Sequence, residues 1–301
     1  MAVDHSTGPE RARRARGALA VTLAARLLGH LPLPLLFAAG RLLGRLALRL
    51  APRRRAIAET NLRLCFPDET VQARERLLRA NFEATGLAVV ETAAAWTRAP
   101  RTLAGRLDLV GLHHLEAARR EGGVLLVGCH LVTLEIAGAL LSTAVALDVV
   151  ERPHDDTRLD ALQQRGRGRA FGAVIHRDDV RTVVRRLRAG HCVWYAFDQD
   201  PGPRRGAFVP FFGVPAATLT TAPRLARAGQ ARLLLVDHWR DLGKRRWTVR
   251  FTPLPSLPDD PTAATAVLVA AIEARVREHP EQYLWTHRRF KTRPPGEPSP
   301  Y

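Results

Sequence analysis

Cysteine is scarce in this chain of 301 residues: Cys65, Cys129 and Cys192 are the only three. They are too few and too scattered for a disulfide framework or a structural zinc site, which suits a reducing, cytoplasmic setting. Long apolar runs are missing near the N-terminus, where an anchor is usually sought. The stretch Leu27 to Gly40, free of Arg, Lys, Asp and Glu, has 14 residues and carries His30, Pro32 and Pro34. A membrane-spanning helix needs about 20, and no small-residue cleavage site follows to make it a signal peptide. Acidic residues are outnumbered, 29 against 46 basic ones, for a net charge of +17. Lysine is nearly absent, with Lys244 and Lys291 alone, so arginine carries the positive charge. Even discounted for genomic codon bias, the excess favours a polyanionic partner: acidic protein, anionic lipid or nucleic acid. No helix-turn-helix, zinc or RNA-recognition signature is present to support nucleic acid. Internal repeats and low-complexity tracts are also lacking.

What is present centres on Gly122 to Leu141, GGVLLVGCHLVTLEIAGALL. Two glycines release the apolar run Val124 to Val127, long enough for one buried strand. From Leu131 the apolar residues fall at helical spacing. His130 therefore sits where a strand hands over to a helix, and an open α/β sheet binds its ligands at that edge. Glu135 falls in the first turns of the helix. Residues five apart on a helix are about 140° apart, so this is not the same-face zinc pair of His-Glu-x-x-His. With His130 on the loop, Glu135 can instead reach one ring nitrogen and leave the other as a general base. The alternative is a satisfied histidine at a strand end beside a partly exposed glutamate.

Around this stretch the chain divides into five parts. Residues 1–16 read as a basic, disordered arm with Arg11, Arg13, Arg14 and Arg16. Residues 17–50 read as a membrane-associated helical segment. There Arg41, Arg45 and Arg49 recur every fourth residue, with Leu42, Leu43, Leu46 and Leu50 offset from them, the pattern of an interfacial amphipathic helix. The alternative is a helix packed on the protein's own core. Residues 51–99 form a helical lead-in: a short helix closed by Phe66-Pro67, then a longer one capped by Asp68 and running to about Trp96. Residues 100–293 alternate strand and helix, including a strand over Ala144 to Val150 and another over His191 to Phe197. Residues 294–301 are a tail. The fold class is α/β, with a mostly parallel sheet flanked by helices and an N-terminal helical membrane-associated segment.

A second chemical group stands at the end of the strand 191–197, namely Asp198-Gln199-Asp200. Two carboxylates at a sheet's carboxyl edge suit a metal, sugar hydroxyls or an arginine, or they simply make a turn. The glycine- and proline-punctuated segment Pro201 to Ala217 reads as a loop. Its exposed apolar tip, Phe208 to Phe212, with Phe208, Phe211 and Phe212 as the contact residues, suits a lipid chain or a membrane surface.

Taken in order, these pieces resemble the late (secondary) lauroyl/myristoyl acyltransferases of bacterial lipid A assembly, a branch of the lysophospholipid acyltransferase superfamily. The match is carried by Asn61 to Pro67, the His130-x4-Glu135 box and Arg152-Pro153 with Gly166-Arg167-Gly168-Arg169. It continues through Asp198-Gln199-Asp200, Phe208 to Phe212 and the ending Pro280 to Trp285 with His287 to Lys291, covering about residues 20–293. The resemblance implies transfer of a fatty acyl chain from acyl-carrier protein to a hydroxyl of a lipid A precursor. It implies His130 as base and Glu135 as the carboxylate that orients it, with the acceptor hydroxyl as nucleophile. Arg167, then Arg169 and Arg152, become candidates for the oxyanion or for a lipid phosphate. Asp198 and Asp200 would anchor such an arginine or bind the sugar. Cys129 should pack in the core, because neighbouring side chains of an extended segment point to opposite faces. No metal and no cofactor are expected, acyl-carrier protein being a co-substrate. The other expected partners are an anionic membrane surface and the lipid acceptor, not nucleic acid. The implied location is the cytoplasmic face of the bacterial inner membrane. Arg204, Arg205, Arg288 and Arg289 are the expected docking face for the acidic carrier. Two alternatives remain: another acceptor lipid (a lysophospholipid, a phosphatidylinositol mannoside or an amino-acid lipid), or a non-catalytic basic binding protein.

Overall fold

The computed structural model describes residues 8–203 and 205–301, with side chains from Leu19 onward. The chain opens with two helices, α1 (Gly8–Gly29) and α2 (Leu33–Leu50), separated at Pro32. Residues 1–7 of the expected arm lie outside the described residues, and from Gly8 the backbone is already helical. After α3 (Pro52–Cys65) comes the long α4 (Val71–Thr97), on which α2 packs. Glycine makes that contact close. A Cβ on Gly44 would stand 2.2 Å from the Phe82 carbonyl oxygen, and one on Gly86 would stand 2.3 Å from that of Gly40. Thr70 caps α4 through its hydroxyl, which accepts from the Ala73 N–H at 3.1 Å. Asp68, the expected cap, lies two residues before Thr70 and three before the first helical residue.

A mixed sheet of seven strands follows, in the order β1-β9-β8-β2-β5-β3-β4. Its strands are β1 (Leu107–Val110), β2 (Val124–Gly128), β3 (Asp148–Glu151), β4 (Val174–His176), β5 (Cys192–Ala196), β8 (Arg232–Asp241) and β9 (Arg246–Pro253). The run β8-β2-β5-β3-β4 is parallel, β9 returns antiparallel to β8, and β1 lies parallel to β9. Helices α5 (Leu112–Glu121), α6 (Leu134–Leu141), α7 (Thr157–Ala170), α8 (Val180–Arg188), α9 (Thr221–Gly229) and α10 (Pro261–Glu278) surround it. Every residue of β2 is buried, as a central parallel strand covered on both faces requires. Leu125 and Val127 pack with α8, α9 and α10, while Val124 and Leu126 pack with α5 and α6.

Two segments depart from expectation. The strand expected over 144–150 is confined to β3, because Ala144 and Val145 donate back to the Leu141 carbonyl and finish α6 as a turn. The segment 201–217 is not simply a loop. It contains the hairpin β6 (Ala207–Phe211) and β7 (Val214–Thr218), turned on Phe212 and Gly213 at φ of 52° and 74°. Two consecutive residues at positive φ are what a tight hairpin turn needs, and Gly213 supplies one of them without strain.

Candidate active site

Chain direction brings the site together. β2 and β5 run parallel, so their carboxyl ends, and the residues just beyond them, lie side by side. His130 follows β2 and Asp198 follows β5. Gly128 lets β2 press against β8, since a Cβ there would stand 2.6 Å from the Val236 carbonyl oxygen. The His130 Nδ1 lies 2.5 Å from Oδ1 of Asp198, and the His130 backbone N–H points at both carboxylate oxygens from 3.1 Å. A third donor, the Tyr283 hydroxyl, reaches Oδ2 at 2.8 Å. Burial alone would raise the Asp198 pKa. The charge and hydrogen bonds of His130, with the charge of Arg289, outweigh it and hold Asp198 down to about 2. Asp198 is thus ionised and takes the Nδ1 side of the ring, so that in the neutral imidazole the lone pair falls on Nε2, which has no hydrogen-bond partner among the described residues. The imidazole is one-quarter exposed, so that nitrogen can be approached.

The carboxylate at His130 Nδ1 is therefore Asp198, and the contact expected from Glu135 is not made. Glu135 accepts from the Trp96 indole N–H at 2.7 Å and is gripped by Arg167 through Nε and Nη2. A second carboxylate, Glu151, takes Arg167 Nη1 at 2.6 Å. The physical reason is the start of α6. With Leu134 as its first residue, Glu135 faces α4 and α7, where the indole and the guanidinium wait. Arg167 is largely buried, and the two carboxylates more than offset the burial that would lower its pKa. Three of its five N–H donors are committed, leaving two for a ligand. Beside this clamp lies a narrow slot of about 40 Å³, lined by Leu134, Gly138, Val149, Val150, Phe171 and Trp194.

The remaining expected site residues are spread out. Arg169 donates to the Trp96 carbonyl, tying α7 to α4. Arg152 is exposed and pairs with Asp155 at 2.8 Å. Asp200 is not beside His130: its oxygens accept from the Thr292 N–H and hydroxyl at 2.7 and 2.8 Å and from Gly202 N–H. Its carboxylate holds the tail. Phe211 and Phe212 are buried against Trp285 rather than exposed at a tip, because the hairpin folds them inward, and only Phe208 is exposed. Arg289 is 1% exposed and donates to Ala217 O and Thr218 Oγ1, so it cannot belong to a docking face. Arg205 pairs with Asp178, Arg288 is exposed, and Arg204 lies outside the described residues. Cys129 is buried, and burial pushes its thiol well above the usual range, against a role as nucleophile.

Sequence reasoning missed Tyr283, Glu151 and Trp96. The Pro280 to Trp285 segment stands out as a motif in the sequence, yet nothing in its residues reveals that it crosses the end of β2. Glu151, one residue before Arg152 at the end of β3, could have been found by applying the strand-end rule to every strand.

A carboxylate-backed imidazole at the carboxyl edge of an α/β sheet, with no Ser, Thr or Cys among the described residues bonded to it, is equipped to deprotonate a nucleophile brought by a substrate. No group of three or more His, Cys, Asp or Glu side chains that could hold a metal ion occurs among the described residues. The arrangement defines a general-base site on an α/β scaffold. The family model for bacterial lipid A biosynthesis acyltransferases matches residues 10–292. The chain is 38% identical to the lipid A biosynthesis lauroyltransferase of Escherichia coli (strain K12), over 91% of each chain. It is 37% identical to the palmitoleoyltransferase of the same strain, over 90% of each, and 31% identical to the myristoyltransferase, over 89% of this chain and 83% of that one. The chain belongs to the bacterial lipid A biosynthesis acyltransferase family.

Proposed function

We propose that this acyltransferase moves a fatty acyl group from the thioester of an acyl-carrier protein to a hydroxyl of a lipid A precursor. The observation that carries the reading is His130 Nε2, open to approach while Asp198 holds Nδ1. The acceptor hydroxyl gives its proton to Nε2 as its oxygen attacks the thioester carbonyl. Asp198 stabilises the imidazolium that forms. The C–S bond then breaks, and the carrier thiol leaves with the proton from His130. The two uncommitted N–H donors of Arg167 are the candidate support for the tetrahedral oxyanion, with its orientation fixed by Glu135 and Glu151. No cofactor is needed for these steps. Arg152, exposed at the same edge, suits a lipid phosphate.

The enzyme works, on this reading, at the cytoplasmic face of the inner membrane. No helix among the described residues is long and apolar enough to cross a membrane. α2 instead turns Leu35, Leu42, Leu43, Leu46 and Leu50 outward, with Arg41, Arg45 and Arg49 exposed among them. That surface suits the interface of an anionic bilayer. The acidic carrier is expected to approach Arg205 and Arg288.

The test offers purified enzyme a lipid A precursor with matched acyl-carrier-protein and acyl-coenzyme A donors, read by mass spectrometry. One acyl group is expected on the acceptor, and the carrier protein should show the steeper fall in kcat/KM as salt screens its charge. His130→Ala should abolish transfer. Equal use of both donors with matching salt dependence would remove the carrier protein from the reading. Full turnover by folded His130→Ala would remove the mechanism.

A further inference from the structure

The segment after α10, one short 3-10 turn (Pro280–Gln282) followed by irregular chain, is held by many hydrogen bonds. Asn81 on α4 donates through Nδ2 to the carbonyls of Glu281 and Tyr283 at 2.9 and 2.7 Å. Asn61 on α3 does the same for Trp285 and His287, both at 2.7 Å. Gln282 exchanges hydrogen bonds with the Arg240 backbone at 2.9 and 3.1 Å. From the other side the site loop joins in: Val132 N–H donates to Gln282 O at 2.7 Å, and Leu284 N–H donates to His130 O at 3.1 Å. Tyr283 sits at the centre of these anchors, its ring 4.7 Å from Trp285 and 5.6 Å from Phe211. A side chain so fixed can aim one atom, and that atom is the hydroxyl on Asp198 Oδ2.

We propose that Tyr283 is a positioning residue of the proton-transfer pair: its hydroxyl fixes the Asp198 carboxylate and draws charge from it, and so sets the pH at which His130 takes up a proton. The inference rests on the reading of His130 as the base. A phenol donating to Oδ2 stabilises the anion and reduces the negative potential that Oδ1 presents to Nδ1. Without it, Asp198 rotates more freely and holds the imidazolium more tightly. The other charged or titratable groups within electrostatic reach of the pair are Arg289, His287 and Asp200 after α10 or β5, His238 on β8 and Cys129 beside the histidine. None of them hydrogen-bonds the Asp198 carboxylate.

The test compares the pH dependence of kcat/KM for wild type, Tyr283→Phe and Tyr283→3-fluorotyrosine, with circular dichroism and melting temperature measured on each. Tyr283→Phe should lower kcat by about tenfold with KM within twofold. Its acid limb should move up by between roughly 0.3 and 1 pH unit. The fluorinated phenol is a stronger donor of similar shape and should move the limb the other way. It also decides the matter if Tyr283→Phe does not fold. Profiles superimposable on wild type in the folded variants would overturn the inference. His130→Ala run alongside separates the two levels: turnover there sinks the base itself, whereas an inactive His130→Ala with unmoved Tyr283 profiles sinks only the role of Tyr283.

Discussion

Asp198 and Glu135 are two carboxylates at the same edge of the same sheet, and both were candidates to serve His130. Their neighbours separate them. Asp198 is buried and surrounded by donors of weak or variable charge: an imidazole, backbone N–H and a phenol. Glu135 meets an indole and a guanidinium that is permanently charged. A carboxylate paired with arginine has a fixed partner and holds a geometry. One paired with an imidazole has a partner whose charge changes during a reaction, so it can follow the proton. The two acids therefore divide the labour, and removing each should leave a different signature.

The largest effect is expected at Asp198. Asp198→Asn removes the negative charge and turns one of the two acceptor oxygens into a donor, so the productive tautomer is no longer selected, and kcat should fall by about 10²–10⁴-fold while the protein stays folded. Steady-state kinetics beside circular dichroism checks this, and a folded variant within threefold of wild type would dissolve the distinction. Glu135→Gln should act mainly through shape. Arg167 then keeps Glu151 alone, and breaking a largely buried ion pair costs about 3–5 kcal/mol before the amide's own hydrogen bonds recover part of it. The expected result is a melting temperature lowered by several degrees, a smaller loss of kcat than for Asp198→Asn, and an acid limb at the wild-type pH. A shifted acid limb would mean that Glu135 acts on His130 after all.

The smallest effect is one of stability against pH, and it uses the imidazoles that gather on the Asp198 side. Burial lowers the His238 pKa to about 3 and the His287 pKa to about 4. In the unfolded chain both titrate near 6.5. Between those values the unfolded state binds more protons, so stability falls as pH drops below about 6.5, by at most about 1.4 kcal/mol per unit for each histidine. Asp198, held near 2, contributes stability above about 4 that is lost as pH falls through that depressed value. Thermal melts from pH 7.5 to 4.5 should show the decline, and His287→Gln should flatten it. An unchanged slope in that variant would show that His287 takes no part.

Much of this architecture was legible in the residues because it is local. The apolar run at β2, the alternation of strand and helix and the strand-end places of His130 and Asp198 follow from periodicity and from where the runs stop. Partner choice was not legible. Whether Glu135 or Asp198 meets Nδ1 depends on the helical phase at which α6 begins and on the parallel register of β2 with β5, neither of which has a one-residue signature. The aromatic segment 208–212 misled for a related reason. The glycines and prolines of 201–217 point to a loop, but the side to which a hairpin folds its phenylalanines is decided by Trp285, far along the chain.

The parallel sheet also dictates when the site comes into being. Asp198 follows His130 by 68 residues, and Tyr283 follows Asp198 by a further 85. Parallel neighbours cannot meet until the crossover between them exists, so these contacts are of high sequence separation and form late. At a synthesis rate of about 5–20 residues per second, His130 leaves the ribosome on the order of ten seconds before the tyrosine that completes its surroundings. Asn81, the anchor of that tyrosine, waits longer still, across 202 residues. His130 is thus translated early and completed late, and a chain that stops short of its final helix carries the motif without its surroundings.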